Sequence, residues 1–554
     1  MVRLRQIPFL LSGLASGIAL SATVRTLRLN QVQTEYLVPF DGWPFLEKLQ
    51  AGASAVALLS HNVHLFAVPQ LLFWLDLDLC HGSLRFLHGA TLAFGFASLA
   101  ATAVILAASD TLRGAAWAVA CSLVLCTGIW LSQSNQNTFA YPLLDVMASF
   151  TVLAIVGIAL IGGRLHEGRA TVWFPALVLV ALAGFYTVEV FAAALLCLLG
   201  EAILRRNRRV GVLVAALTIL LFLSYWMFRP PLVEAQHGEN AFSLPVALPN
   251  GLILMSGHVM YLLLARQFTG AAANGAAMAM SGLQLTYVAW VVALLCRRRR
   301  TLNGVDRLGL SFVAFAVAAI IAAVWLRYGA APLGAPVLRY TWYAALLSIG
   351  SALLACNGLA RGSGRAEAIV AGTVVCALGA YCLADMSVQN AGEHWPRVRG
   401  EMSIYALHPG YEENLGPVSV EGGAEIREKL APFLQSEHLF AFGSAAYRLV
   451  GGRLAGERLE EQECRFEIEP PAGRRDKVLS RIDVSGIWPT PDGAFLLVGD
   501  DSTVEAFSYA ERVDWRGDAV RAHFLTDAGE EIAKLIYVED VTEHDPRYVE
   551  CERR

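Results

Sequence analysis

The sequence is poor in charged residues. Only 16 % of its 554 residues are Asp, Glu, Lys or Arg, against roughly a quarter in an ordinary soluble domain. Hydrophobic residues make up 56 % of the chain, and they come in long runs rather than in alternating stripes. A protein built only of soluble globular domains is therefore excluded. The chain also has no internal repeat and no low-complexity tract.

The apolar runs match the length of membrane-spanning helices, which need about 20 residues. The first run follows Arg3 and Arg5 but lacks a small-residue cleavage site, so we interpret it as an anchor. One run is too long for a single span, and Gly184 and Tyr186 interrupt it, so we predict two short helices in a hairpin there. We predict a mainly α-helical fold with about 10 to 12 membrane helices. The runs lie at residues 7–24, 86–108, 112–132, 140–162, 171–203, 209–228, 271–296, 309–327, 340–360 and 366–387.

The charge divides the chain into two parts. Residues 1–387 hold 24 Lys and Arg and 15 Asp and Glu, whereas residues 388–554 hold 19 and 32. The resulting net charges of +9 and −13 predict a membrane domain over 1–387 and a soluble domain over 388–554. Because the basic residues of the first part cluster in short loops rather than on a soluble face, nucleic acid is not predicted as a partner.

Basic residues in the short links predict the orientation of the helices. All of these links can face the cytoplasm if 171–203 is a hairpin and 252–268 lies in the outer interface. The alternative is that 252–268 is a true span. With the first arrangement, the segment 25–85, the loop 229–250, the link 328–339 and the acidic tail lie outside.

The tail has the pattern of a small β-rich domain, either α/β or a β-sandwich. An amphipathic helix is predicted over 424–434, and turn signals separate the strand-like segments that follow it. Eight of the ten cysteines lie in or beside apolar runs and look like packing residues. Cys464 and Cys551 form the natural disulfide pair if the tail is extracytoplasmic; two reduced thiols in a cytoplasmic tail are the alternative. The predicted strands are 480–488, 494–498, 504–510, 522–525 and 531–538.

The first outer segment places Asp41 about fifteen residues beyond the first span and directly before Gly42, Trp43 and Pro44. A carboxylate in a fixed turn at the membrane surface could act as a general base toward a sugar hydroxyl. The alternative is that Asp41 caps the helix that begins near Pro44.

Three short motifs stand out in the first 387 residues. They are Asp41-Gly-Trp-Pro-Phe-Leu46, His61-Asn-Val-His64 with the later Pro69 and Leu71-Leu-Phe-Trp-Leu-Asp76, and Arg339-Tyr340 at the start of a late span. Together they resemble polytopic bacterial membrane glycosyltransferases of the GT-C type. Related sequences tend to read His-Asn-Glu-His-Arg at the second motif, where this chain has Val63 and Leu65.

The resemblance implies a polyprenyl-phosphate sugar donor, a glycan or lipid-linked acceptor, and transfer on the outer face of a bacterial inner membrane. The catalytic base would be Asp41, and Arg339 would bind the donor phosphate through its guanidinium. Interfacial snorkelling is the alternative role for Arg339. The other predicted substrate-binding residues of these motifs and their neighbours are Tyr340, Glu35, His61, His64 and Arg85.

His61 and His64 are three residues apart and would share one face of a helix. Two histidines without a third ligand favour hydrogen bonding or packing over a metal site. No cofactor is firmly implied, and a divalent metal ion stays open because Asp41 or Glu35 could complete such a site.

Two further acids interrupt apolar runs. Asp145 and Glu189 both fall near the outer face in the predicted topology. Ionisable side chains in such segments usually line a cavity or find a partner, so both are substrate-site candidates. The alternatives are a helix-start acid for Asp145 and a hairpin-tip residue for Glu189.

The leading hypothesis is a membrane glycosyltransferase that uses membrane lipids and a lipid-linked sugar. A transporter or flippase for lipid-linked saccharides is a second hypothesis, although no repeat supports it. A non-catalytic glycan-binding or assembly protein is the third.

Overall fold

The structure is a computed structural model. It describes residues 6–21, 42–54, 58, 60–61, 64–112, 115–131, 142–167, 170–228, 243–257, 270–297, 302–329, 331–333, 337, 340–361, 364–385, 404, 406–408, 423–454, 456–459, 464–468, 477–487, 490, 493–509, 511–512, 520–527, 534–542 and 546–553.

The described part of the chain is mainly helical, with a β-sheet region at its C-terminal end. The helices before this region are α1 (Gln6–Ser21), α2 (Trp43–Gln50), α3 (Ala67–Cys80), α4 (Arg85–Ala108), α5 (Ala116–Trp130), α6 (Pro142–His166), α7 (Ala170–Phe185), α8 (Ala192–Leu204), α9 (Arg208–Phe228), α10 (Leu244–Ser256), α11 (Gly270–Arg297), α12 (Gly304–Ala323), α13 (Thr341–Arg361) and α14 (Arg365–Asp385). A π-helical segment, Val324–Tyr328, continues α12.

Seven of the described helices are long and apolar enough to cross a membrane: α4, α6, α9, α11, α12, α13 and α14. All seven coincide with predicted runs. Four shorter apolar helices accompany them, namely α1, α5, α7 and α10. By length and composition this is a membrane protein, and the predicted count of 10 to 12 membrane helices stays a prediction.

The long run 171–203 is divided into two helices, as predicted. A 3₁₀ turn, Glu189–Phe191, separates α7 from α8. The chain reverses there, because Glu201 near the end of α8 approaches His166 at the end of α6 (Oε2 to Nε2 3.7 Å). The reversal is needed for α8 to return to the end of the bundle from which α7 starts.

The apolar stretch predicted at 252–268 begins earlier than expected. Helix α10 starts at Leu244, with Pro245 in its first turn, and continues through Pro249. At 1.5 Å per residue its 13 residues rise about 20 Å, which is shorter than a hydrocarbon layer of about 30 Å. Residues 258–269 lie outside the described part of the chain.

The prediction that His61 and His64 share a helix face is wrong. Ser60–His61 (β1) pairs antiparallel with His64–Leu65 (β2), and His61 lies directly opposite His64. A β-branched Val63 disfavours a helix and Asn62 favours tight turns, so these local preferences oppose the helical spacing.

The C-terminal region begins with helix α15 (Gly423–Ser436), a 3₁₀ turn (Phe440–Gly443) and α16 (Ala445–Leu449). Nine strands follow, in the spatial order β7-β6-β10-β11-β4-β5-β9-β8, with β3 beside β11. They are β3 (Glu457–Arg458), β4 (Arg465–Ile468), β5 (Lys477–Ser485), β6 (Ala494–Val498), β7 (Val504–Tyr509), β8 (Glu511–Arg512), β9 (Val520–Asp527), β10 (Lys534–Val538) and β11 (Arg547–Arg553).

The strands form one continuous sheet that folds over on itself, rather than the two separate sheets of a sandwich. Phe495 and Tyr537 from one half pack with Ile482 and Phe524 from the other in a common core. The turn signals in the sequence located β5, β6, β7, β9 and β10, but the two-residue strands β3 and β8 were not predicted, and neither were β4 and β11. These two strands form the parallel pairing that joins the halves.

Cys464 and Cys551 are joined in a disulfide, which is the pair predicted from their isolation in the tail. It links the segment before β4 to β11. The predicted domain boundary between residues 387 and 388 lies outside the described residues, so it stays a prediction.

The C-terminal region contacts the helical part through Phe440. Its ring packs on Phe73 of α3 at 6.1 Å, and Phe73 in turn contacts Phe45 of α2 at 5.4 Å between ring centroids. The Phe440 N–H donates to the carbonyl of His81 at 2.9 Å. A Cβ on Gly82 would come within 3.0 Å of the Phe440 ring, so the α3–α4 turn is shaped to this contact. We call this contact the Phe440 joint.

Backbone strain is concentrated at the Phe440 joint. Left-handed φ angles are costly for residues other than glycine. Among the described residues six non-glycine positions have them, and four belong to the joint: His81, Leu84, His438 and Phe440. The surrounding packing must therefore hold these residues in place.

Asp76 fixes the start of α4 at this joint. Its buried carboxylate accepts the N–H groups of Leu84 at 2.9 Å, Phe86 at 2.9 Å and Leu87 at 3.3 Å. These donors have no partner within the helix, so a side chain from α3 serves as the cap of α4. Burial raises the pKa of the Asp76 carboxyl more than the three N–H donors lower it.

We predict that Asp76→Asn destabilises the protein by about 1–3 kcal/mol, because an amide has one acceptor oxygen where the carboxylate uses two, so a buried N–H is left unpaired. Thermal unfolding of the purified protein measures the effect. Asp78, exposed on the same helix, is the matched control, and an equal loss in Asp78→Asn would contradict the prediction.

Candidate functional site

A cavity of about 240 Å³ lies between helices α4, α5 and α6, with α12 and α13 behind it. Its walls are mostly apolar. They are formed by Thr91, Leu92, Gly95, Phe96, Ser98, Leu99, Thr102, Leu123, Cys126, Thr127, Trp130, Leu131, Asp145, Ser149, Val152, Phe312, Ile349 and Leu353. We call it the lateral cavity.

Helix α4 presents a stripe of small and hydroxyl-bearing residues to the lateral cavity. Thr91, Gly95, Ser98 and Thr102 follow one another at spacings of four, three and four, which places them on one helix face. A Cβ on Gly95 would meet nothing within 4 Å, so this glycine leaves real space. Thr91 and Thr102 are eleven residues apart, which makes the cavity about 16 Å long at 1.5 Å per residue.

Asp145 lies in the first turn of α6 and contributes the carboxyl group of the lateral cavity. Its side chain is buried, and Ser149 one turn later donates to its Oδ1 at 3.4 Å. The described residues that line the cavity include no Arg, Lys or His. Asp145 therefore gives one end of an apolar slot a single acidic group.

The cavity opens on the side of α4 that faces away from the helix bundle. Leu92, Phe96 and Leu99 line it and are also exposed, to 49 %, 69 % and 38 %. On a membrane-spanning helix an exposed apolar surface faces lipid. An apolar chain in the bilayer could therefore enter the cavity sideways.

Several buried polar groups at the same end of the bundle have no hydrogen-bond partner within the described ranges. They include the Thr91 hydroxyl, both amide atoms of Gln70 and the indole N–H of Trp43. Gln70 is 1 % exposed and lies near the start of α3, which packs on α4 and α6. Unsatisfied buried groups are costly, and others occur elsewhere among the described residues, for example the hydroxyl groups of Ser16 and Ser311.

The residues from the motifs fall unevenly on the described part of the chain. Asp41, Glu35 and Arg339 lie outside it, and of His61 and His64 only the backbone pairing is described. The N-cap of α2 is Gly42, and the alternative cap role of Asp41 concerns a side chain outside the described residues, so it stays a prediction.

Arg85 and Glu189 both lie at helix ends next to α3. Arg85 is the exposed first residue of α4, directly after the turn held by Asp76. Glu189 is half-buried in the 3₁₀ turn between α7 and α8, where the hairpin tip was predicted. This tip lies close to α3, because the Ala67 N–H donates to the Tyr186 carbonyl at 2.8 Å.

Tyr340 belongs to an aromatic cluster at the start of α13. Its ring contacts those of Tyr328 and Tyr343, each at 5.8 Å between centroids. Asn250 of α10 holds the segment after Tyr328, donating to the carbonyls of Tyr328 at 2.6 Å and Ala331 at 2.9 Å. The cluster thus fixes the two ends of the segment that contains Arg339.

A metal site is not built by the described residues, since no group of three or more His, Cys, Asp or Glu among them is arranged to hold one. The prediction that a metal could join His61 and His64 to Asp41 or Glu35 concerns side chains outside the described part of the chain. A divalent metal ion at His61 and His64 therefore stays an open prediction from the sequence.

The opposite end of the bundle carries a closed network of buried charges. Arg307 at the start of α12 bonds Glu201 of α8 through two nitrogens, at 2.7 and 2.8 Å. Arg205 also contacts Glu201 at 2.8 Å, and His166 lies 3.7 Å away. We call this set the Glu201 network.

A second polar network adjoins it on α12. Asp306 pairs with Arg361 and accepts the Asn357 amide at 2.6 Å. Asp306 and Asn303 also form a capping box at the start of α12. Because these links involve α8, α12 and α13 at once, they lock one end of the bundle.

Sequence reasoning singled out Asp145 as a cavity-lining candidate, and it does line the lateral cavity, but the rest of that cavity and both networks were missed. The signal for the cavity was present as the hydroxyl and glycine stripe of α4. The Glu201 network had a weaker signal, because acids and bases near helix ends resemble ordinary interfacial residues.

Comparison with protein-family models, with curated proteins and with solved structures finds no match to the chain. Its function must therefore be inferred from the described geometry and the sequence motifs.

We predict that Gly95→Leu leaves stability unchanged or raises it by about 1 kcal/mol, because leucine favours a helix and fills empty space. Gly162→Leu should cost about 1–3 kcal/mol, since a Cβ there would clash with the Leu198 side chain. Thermal unfolding compares the two variants. Equal losses would show that Gly95 is packed and that the lateral cavity is absent.

We also predict that Arg307→Met costs about 3–5 kcal/mol, because it removes the main partner of a buried carboxylate. The double variant with Glu201→Leu should recover part of that loss. The exposed pair Arg164–Glu167, whose side chains are 54 % and 56 % exposed, is the control, and Arg164→Met should cost at most about 1 kcal/mol. If the double variant lost as much stability as Arg307→Met alone, the coupling between Arg307 and Glu201 would be contradicted.

Proposed function

We propose that the protein is a GT-C-like membrane glycosyltransferase of about 10 to 12 membrane helices with an extracytoplasmic C-terminal domain. It transfers a sugar from a polyprenyl-phosphate donor to a cell-surface glycan or lipid-linked acceptor. The reaction takes place on the outer face of a bacterial inner membrane.

The lateral cavity is the observation that carries this proposal. An enzyme with lipid-linked substrates must admit an apolar chain from the bilayer while holding its polar end near the surface. The cavity has an apolar slot, a lipid-facing opening rimmed by Phe96, and a carboxyl group, Asp145, at one end. This combination supports a lipid-linked substrate more directly than it supports a soluble one.

The packing around α2 supports a role for the outer segment that contains Asp41. Trp43 and Phe45, just after Asp41 in sequence, are buried, and Glu47 bonds Lys429 of the C-terminal region at 3.0 Å. A segment anchored both to the helices and to the C-terminal region is suited to hold a catalytic group at a fixed distance from the membrane surface.

The proposed reaction assigns one task to each group. Asp41 accepts the proton of the acceptor hydroxyl, whose oxygen attacks the anomeric carbon of the donor sugar. The bond between that carbon and the phosphate oxygen breaks, and the polyprenyl phosphate leaves with its electron pair. Arg339 stabilises the departing phosphate through paired N–H donors.

Transport of a lipid-linked saccharide is a second candidate, favoured by the Glu201 network. Ionisable side chains buried among apolar helices often belong to a transport path. Its pairing is closed, however, and it locks the end of the bundle opposite the lateral cavity. We therefore favour the enzyme.

We predict that Asp41→Asn lowers the rate of sugar transfer by about 10² to 10⁴, because the amide cannot accept the hydroxyl proton. The assay follows transfer of radiolabelled sugar from a polyprenyl-phosphate donor by the purified protein. Asp110→Asn, an exposed acid at the start of the α4–α5 link, is the control and should keep the wild-type rate.

Wild-type transfer by Asp41→Asn would eliminate the assigned base. If the wild-type protein in vesicles moved the lipid-linked sugar across the membrane without transfer, it would be a transporter. Binding without movement or transfer would identify a non-catalytic glycan-binding protein.

A further inference from the structure

The lateral cavity contains chemistry that the proposed reaction does not use. An exposed acid such as Asp110 is solvated, but Asp145 is 1 % exposed and lies at the end of an apolar slot. A buried carboxyl group is expensive unless something bonds it. Within the described residues its side-chain partner is Ser149, at a long 3.4 Å.

The hydroxyl of Thr91 adds a second unfilled bonding position at the lateral cavity. Thr91 is 8 % exposed, and its Oγ1 has no hydrogen-bond partner within the described ranges. A buried hydroxyl can both donate and accept. Thr91 and Asp145 therefore leave the polar end of the cavity able to bond a ligand that carries hydroxyl groups.

The charge at this end decides between two kinds of lipid head. A phosphate would bring a negative charge toward Asp145, and no basic side chain occurs among the described residues that line the cavity. An ionised phosphate is expensive to bury without a basic partner. A hydroxyl group, in contrast, bonds a carboxyl group in either protonation state.

The walls of the lateral cavity indicate the chemistry of the remainder of the ligand. The slot is mostly apolar over about 16 Å, from the level of Thr91 to that of Thr102. It opens toward lipid beside Phe96. Trp130 lies on the wall as well, and an aromatic ring of this kind suits the boundary between an apolar chain and a polar head. A single-chain amphiphile fits this arrangement.

We infer that the lateral cavity binds an uncharged glycolipid, with its chain in the slot and a sugar hydroxyl on Asp145 and Thr91. Naming this ligand as the acceptor rests on the proposed function. The phosphate of the donor is then bound outside the lateral cavity, and Asp145 is a substrate-binding residue rather than the base.

The test measures binding to the full-length protein in phosphatidylcholine nanodiscs, with empty nanodiscs subtracted. The probes are radiolabelled dodecyl maltoside and dodecyl phosphate, which share a chain and differ in the charge of the head. We expect saturable binding of the maltoside, at least tenfold tighter than that of the phosphate. No sugar donor is present, so the result does not depend on catalysis.

Three variants locate the binding. Asp145→Asn should weaken maltoside binding about tenfold, as expected for loss of a hydrogen bond to the ligand. Gly95→Leu, which fills the slot, should reduce binding of both probes at least tenfold. Gly89→Leu on the same helix is the control, because Gly89 also has open space but does not line the cavity.

The inference is overturned if dodecyl phosphate binds as tightly as the maltoside, if Asp145→Asn leaves both affinities unchanged, or if Gly95→Leu and Gly89→Leu behave alike. Absence of maltoside binding would also overturn it. Sugar transfer by a protein that fails these tests would leave the proposed function standing and remove only the assignment of the cavity.

Discussion

The packing of the described helices depends on a buried ion pair inside a mostly apolar bundle. Arg307 and Glu201 are both almost fully buried, and they bond through two nitrogens and two oxygens. Such a pair is expensive to form and more expensive to break. Because the partners come from α8 and α12, their bond sets the distance between these helices, and Gly162 allows the approach by leaving room for Arg307 and Leu198.

The two ends of the bundle treat polar groups differently. One end pairs its charges in closed networks, in which Asp306 and Arg307 each bond another helix. The other end leaves Gln70 and Thr91 without partners in the described ranges and concentrates left-handed backbone at the Phe440 joint. What further distinguishes this end is the lateral cavity, to which Thr91 and Asp145 both contribute.

The sequence predicted the helices well, because runs of about 20 apolar residues have few alternatives to a membrane span. It also predicted the Cys464–Cys551 pair, since the other cysteines lie among apolar residues. It failed where contacts between distant segments decide the structure. The parallel pairing of β4 with β11 joins residues far apart in the chain. Two other failures were local: Asp76 caps α4 from eight to eleven residues earlier in the chain, and strand pairing overrode the helical spacing of His61 and His64.

The position of β11 has a consequence for biosynthesis. This strand follows all the others in sequence, yet it lies in the interior of the sheet between β10 and β4. The two halves cannot join, and Cys551 cannot meet Cys464, until the ribosome has synthesised this strand. Until then the earlier strands present an open edge, which is a site for aggregation.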